Sequence, residues 1–66
     1  MRVRYDQATD ALYVRLDESA VAESEEVRPG LVLDFNERDQ VVGIELRRLS
    51  KQAPGANLKE ISVQVA

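Results

Sequence analysis

The sequence predicts a mostly β fold: a small antiparallel meander of four to five strands, completed by oligomerisation. Three observations lead there. Large apolar residues recur at every second position in several short runs, which is the spacing of a half-buried strand. Turn-forming residues punctuate those runs at positions 6–10, 29–30 and 36–40. No stretch has the length and 3.6-residue periodicity of an amphipathic helix that could cover a sheet.

The first strand, about 2–5, turns Val3 and Tyr5 one way and Arg2 and Arg4 the other. Asp and Thr side chains at 6–10 favour a turn because they bond to nearby backbone. The second strand, 11–16, places Leu12, Val14 and Leu16 on one face and Ala11, Tyr13 and Arg15 on the other, so the first sixteen residues form a hairpin.

Residues 17–26, DESAVAESEE, hold five carboxylates and no basic group. They read as an exposed connection whose charge keeps a sheet edge from pairing with other chains. The functional reading is an acidic surface, Glu23, Glu25 and Glu26, for a basic partner. A third strand, 26–35, follows, interrupted near its start by Pro29 and Gly30, which predict an edge position or a bulge. Leu31, Leu33 and Phe35 alternate there with Val32 and Asp34. The fourth strand, 41–48, alternates Val42, Ile44 and Leu46 with Val41, Gly43, Glu45 and Arg47, and the polar residues 36–40 close a hairpin between them.

The tail, 50–66, is less regular. SKQAPGAN is loop-like. In LKEISVQVA, Asn57 with Glu60 three residues on fits a capped short helix, whereas Ile61, Val63 and Val65 alternate as in a strand. The β-branched content favours a turn at 57–60 and a fifth strand over 61–65.

At 66 residues the chain is a single domain, 1–66. A domain of this size buries only about 60% of the surface its unfolded chain exposes. With no cysteine there is no disulfide to help it, and with no histidine either, the usual zinc ligands are missing. Association is the remaining device, and a homo-oligomer, a dimer first, is expected. The face to be covered collects Val3, Tyr5, Leu12, Val14, Leu16, Leu31, Leu33, Phe35, Val42, Ile44 and Leu46.

A net charge of −3 and a pI near 4.8 argue against a general nucleic-acid binder. No apolar run reaches bilayer length and no apolar signal segment opens the sequence, so a cytoplasmic protein without membrane attachment is expected.

Candidate chemistry is sparse. Ser19, Ser24, Ser50 and Ser62 have no histidine to activate them. Asp6 and Asp10 could pair as acid and base, but carboxylates flanking a turn are mostly turn formers. Asp34, Asn36 and Asp39 put three oxygen ligands in one loop. Counted from Asp34, however, the sixth position is Asp39 and the twelfth is Leu46, where a calcium loop needs glycine and glutamate. Neither a metal nor a cofactor is expected. The polar sheet face carries Arg2, Arg4, Tyr13, Arg15 and Arg47, a basic surface with one aromatic ring, as in some sheets that hold single-stranded RNA. Asp34 and Glu45 share that face and would cancel much of its field through cross-strand pairs.

Tyr5-Asp6-x-x-x-Asp10-Ala11-Leu12-Tyr13-Val14-x-Leu16, Glu23-Ser24-x-Glu26-Val27-x-Pro29-Gly30-Leu31-Val32-Leu33-Asp34 and Val42-Gly43-Ile44-Glu45 together resemble the bacterial and archaeal family called domain of unknown function 2283. The resemblance runs from Val3 to about Ser50. It departs from the family at Arg38-Asp39-Gln40, where such proteins often carry a glycine. It implies a small β-rich domain without an established activity or established site residues, some of whose members look like partners of small basic toxins.

Three functions of different kinds follow. The first is a non-catalytic protein-interaction domain, antitoxin-like, that binds a small basic protein. The alternatives are a nucleic-acid binder using the arginine face and a small carboxylate-based hydrolase.

Overall fold

The computed structural model describes all 66 residues. Five strands, β1 (Arg2–Asp6), β2 (Ala11–Arg15), β3 (Glu23–Arg28), β4 (Leu31–Phe35) and β5 (Val41–Leu46), form one antiparallel sheet, and a single helical turn, α1 (Leu49–Gln52), follows. The mostly β, antiparallel prediction holds.

Two strand assignments need correction. The predicted strand 26–35 is a hairpin, β3 and β4, closed by the pair Arg28 and Leu31 around Pro29-Gly30. Proline presets the first turn position and Gly30 takes φ 80 at the second, the arrangement of a type II turn. Apolar alternation continues on both sides of such a turn, so the period alone does not reveal the reversal. The acidic segment 17–26 is accordingly a connection only in its first part, and Glu23, Glu25 and Glu26 lie in an edge strand. A bulge does occur nearby, between Glu26 and Arg28.

The predicted strand at 61–65 is absent. The chain turns at 58–59 and then runs without regular structure, leaving Ile61, Val63 and Val65 62%, 77% and 93% exposed. Alternation is necessary for a half-buried strand but does not supply the edge it must pair with.

The strand order is β1-β2-β5-β4-β3, so the meander is broken once, between β2 and β3. The connecting residues 16–22 cross the ends of β5 and β4. Leu16 N–H donates to the Val42 carbonyl (2.8 Å) and Ala22 N–H to the Phe35 carbonyl (2.7 Å). Val42 is freed for this by the register shift that pairs Asp34 with Gly43 but Phe35 with Val41.

Register fixes the two faces. One carries Tyr5, Leu12, Leu46 and Leu31 side by side, and beside them Val3, Val14, Ile44 and Leu33. The other carries Arg4, Tyr13, Glu45, Val32 and Glu26 beside Arg2, Arg15, Gly43, Asp34 and Ser24. Only Val32, Val42 and Leu49 are buried large apolar residues, and of these Val42 alone is fully enclosed.

α1 fastens one end of the sheet. Leu49 N–H donates to the Asp10 carbonyl (2.9 Å), and the Gln52 amide donates to the carbonyls of Gly30 (3.1 Å) and Arg47 (2.6 Å). Four residues cannot cover a five-stranded sheet, and Leu12, Val14, Leu31, Leu33, Ile44 and Leu46 stay half-buried.

Candidate functional site

The polar face is organised by an absence of side chain at Gly43 in the central strand. Asp34 in β4 lies opposite Gly43, and Tyr13 in β2 lies opposite Glu45. The Tyr13 hydroxyl donates to Asp34 Oδ2 at 2.6 Å, across the backbone of β5. Ser24 Oγ in β3 donates to Asp34 Oδ1 at 2.6 Å, and Arg15 donates to the Tyr13 oxygen at 3.2 Å. A Cβ at Gly43 would stand 2.8 Å from Asp34 Oδ2 and collide with the Tyr13 hydroxyl. The hydrogen bond to Asp34, with desolvation behind it, raises the Tyr13 phenol above its ordinary pKa.

The predicted arginine face does assemble. Arg2 sits opposite Arg15 and Arg4 opposite Tyr13, while Arg47 reaches Glu45 (3.2 Å) and Glu26 (3.5 Å). Its charges are mostly occupied. Arg2 pairs with Glu18 at 2.9 Å, and Arg15 is spent on the carbonyls of Asp17 and Ser19, with Glu18 4.0 Å away. Only Arg4 among the five predicted residues makes no ion pair or side-chain hydrogen bond. The expected cross-strand pairs of Asp34 and Glu45 with the arginines do not form: Asp34 accepts from Tyr13 and Ser24, and Glu45 pairs with Arg47 two residues along.

The three predicted acidic residues do not form one patch. Glu23 opposes Phe35 and Glu25 opposes Leu33, so both point to the apolar side, whereas Glu26 opposes Val32 on the polar side. Glu23 and Glu25 make no ion pair, and all six residues of β3 are exposed.

The family model described as "Protein of unknown function (DUF2283)" matches residues 2–50 of the chain. The chain belongs to this family. No curated protein and no solved structure shows significant similarity to it. The DUF2283 match ends at Ser50, which lies in α1 and hydrogen-bonds to Asp10 in the turn between β1 and β2.

Within the DUF2283 region, Asp10 joins the first turn to α1. Its carboxylate accepts from the Ser50 hydroxyl (2.6 Å), the Ser50 N–H (3.2 Å) and the Tyr5 hydroxyl (2.9 Å). The Ser50 hydroxyl is the main cause that holds its pKa below the usual carboxylate range, with Tyr5 and the Ser50 N–H assisting. Asp6 accepts from the N–H groups of Ala8 (3.0 Å) and Thr9 (3.4 Å), a turn bond. The two aspartates thus work on different backbone segments. Sequence spacing could not reveal the Asp10 to Ser50 link, because the partners are forty positions apart.

The predicted turn roles at the second hairpin of this DUF2283 chain are seen directly. Asn36 Oδ1 accepts from the N–H groups of Arg38 (2.9 Å) and Gln40 (3.0 Å), and Asp39 holds φ 60. That left-handed conformation is one that glycine adopts without strain. Nowhere do three His, Cys, Asp or Glu side chains converge as metal ligands. The depression between residues 17–20 and 36–40, about 450 Å³, has Ala20 as its one apolar lining residue. No helix is long and apolar enough to cross a membrane.

Proposed function

We propose that this DUF2283 chain is a non-catalytic, cytoplasmic protein-interaction domain whose partner is a small basic protein, in the manner of an antitoxin. The observation that carries the reading is the edge strand β3. It pairs with β4 on one side only, exposes every residue, and carries Glu23 and Glu25 without cations of their own. An edge of this kind offers a row of backbone donors and acceptors to an added strand, and carboxylates select a basic one.

Non-catalytic character is supported by the state of the ionisable groups. Asp10, Asp17 and Asp34 each accept a short hydrogen bond from a serine hydroxyl, of Ser50, Ser19 and Ser24, in contacts that hold turns or strands together, and the sequence has no histidine to activate those serines.

Co-purification with the product of the adjacent gene tests the proposal. The expected result is a stoichiometric complex with a small basic protein, weakened at least about tenfold by combined Glu23→Gln, Glu25→Gln and Glu26→Gln, as rim charges act mainly through steering and complementarity. Binding that ignores the three substitutions removes β3 from the account. A salt-dependent shift of RNA or DNA would instead support the arginine face, for which the unpaired Arg4 is the best argument.

A further inference from the structure

We propose that the apolar face of the sheet is the contact surface of a homodimer, in which a second copy supplies the layer that this chain lacks. This inference does not rest on the partner proposed for β3, although Glu23 and Glu25 stand at the margin of the same face.

A sheet with one apolar face reaches a stable arrangement by packing that face on another layer. Here Val3, Val14, Ile44 and Leu33 run in register across four strands, beside Tyr5, Leu12, Leu46 and Leu31. Leu49 is the one side chain of α1 that is buried, and Val3 is still 38% exposed. The accessible surface is 5351 Å², whereas a covered monomer of this mass shows about 4,200 Å². The excess, roughly 1,100 Å² per chain, is of the order that each partner gives up in a stable complex, about 800 Å². Residues 61–66 contribute to that excess together with the open face. The radius of gyration, 12.6 Å, likewise exceeds the roughly 11 Å of a compact 66-residue domain.

Charge favours a second copy as the occupant. Strands β1, β2, β5 and β4 bring no charged side chain to the centre of this face; Glu23, Glu25 and Arg28 stand along the β3 margin. Two such faces meet without like-charge opposition if the β3 margins are kept apart. A two-fold axis running along the central strand β5 does this, because it lays β1 of one copy over β3 of the other. The two sheets would then pack about 10 Å apart.

The chain has no cysteine, so a single introduced thiol reports its own surroundings. Val14→Cys lies on the apolar face and Arg4→Cys on the polar face. Light scattering of the purified wild-type chain, from low micromolar to several hundred micromolar, is paired with thiol-alkylation rates of both variants over the same range. Circular dichroism first establishes that each variant is folded. The expected result is a mass of twice 7.4 kDa at high concentration, with alkylation of Val14→Cys slowed about tenfold or more as the dimer fills, and Arg4→Cys unchanged.

Several outcomes overturn the proposal. A folded wild-type monomer throughout the range does so. So does protection of Val14→Cys that is independent of concentration, which would assign the face to residues 53–66 of the same chain. A dimer that protects Arg4→Cys instead means that the wrong face was chosen. A wild-type chain that folds only when a different protein is added gives the face to that protein.

Discussion

Tyr13 and Asp34 stand on strands that do not pair with each other, yet the phenol donates to the carboxylate at 2.6 Å over the bare backbone of Gly43. The bond ties β2 to β4 across the central strand, and Ser24 extends the tie to β3. Tyr13→Phe is expected to lower stability by about 1 kcal/mol, the net worth of a hydrogen bond in a partly solvated setting. Urea denaturation measures it, and an unchanged midpoint would show the bond to be incidental.

Gly43→Ala is expected to cost about 1–3 kcal/mol, because the new methyl must push aside the Tyr13 hydroxyl and the Asp34 carboxylate. In the Gly43→Ala background Tyr13→Phe should cost much less than it does alone, since the bond is already displaced. Additive costs would mean that the methyl is accommodated elsewhere.

Asp10 makes stability depend on acid. Its folded pKa lies below the unfolded one, chiefly through the Ser50 hydroxyl, so its contribution is fully present above the unfolded value of about 3.9 and is lost as pH falls through the folded value. Asp17 adds in the same direction through the N–H and hydroxyl of Ser19. Ser50→Ala should therefore be less stable than the parent near neutrality, with the gap narrowing as the pH falls toward 3 and below. A gap that is independent of pH would assign Ser50 a role without Asp10.

The tyrosines act at the other end of the scale. Hydrogen bonds to Asp34 and Asp10 raise Tyr13 and Tyr5 above the ordinary phenol value. Their contribution is complete below the unfolded value of about 10 and is lost as pH rises through the folded values. Tyrosinate absorbance should titrate late in the folded chain, and Asp34→Asn should move one of the two phenols back toward the ordinary value. Early titration of both would contradict the geometry.

Arg48 occupies the left-handed region at φ 49 just before α1 and makes no side-chain hydrogen bond. Relief of that conformation outweighs the entropy that glycine brings to the unfolded chain, so Arg48→Gly should stabilise by about 0.5–1 kcal/mol. A higher thermal midpoint would show it; a lower one would mean that the arginine stem contributes packing.

The faces of the sheet were legible from residue spacing, since alternation assigns Val3, Leu12, Val14, Ile44 and Leu46 to one side and Arg2, Arg4, Tyr13 and Arg15 to the other without any knowledge of strand order. The order itself was not legible. Pro29-Gly30 is a local turn signal, but apolar alternation on both sides of it fits an interrupted strand as well as a reversal, and that one turn decides whether β5 ends beside β2. The pair Tyr13 and Asp34 was hidden for the same reason. Both residues could be placed on the polar face, but their meeting depends on Gly43 lying between them.

The position of β5 carries a consequence for biosynthesis. It is the last strand to be made, yet it occupies the middle of the sheet. Until residues 41–46 leave the ribosome, the nascent chain holds two separate hairpins, each of a kind that is only marginally stable in water. The inner edges of β2 and β4 are unsatisfied during that interval, and a neighbouring nascent chain could pair with them as readily as β5 will. Synthesis and folding are thus joined at one late step, which zips both halves together at once.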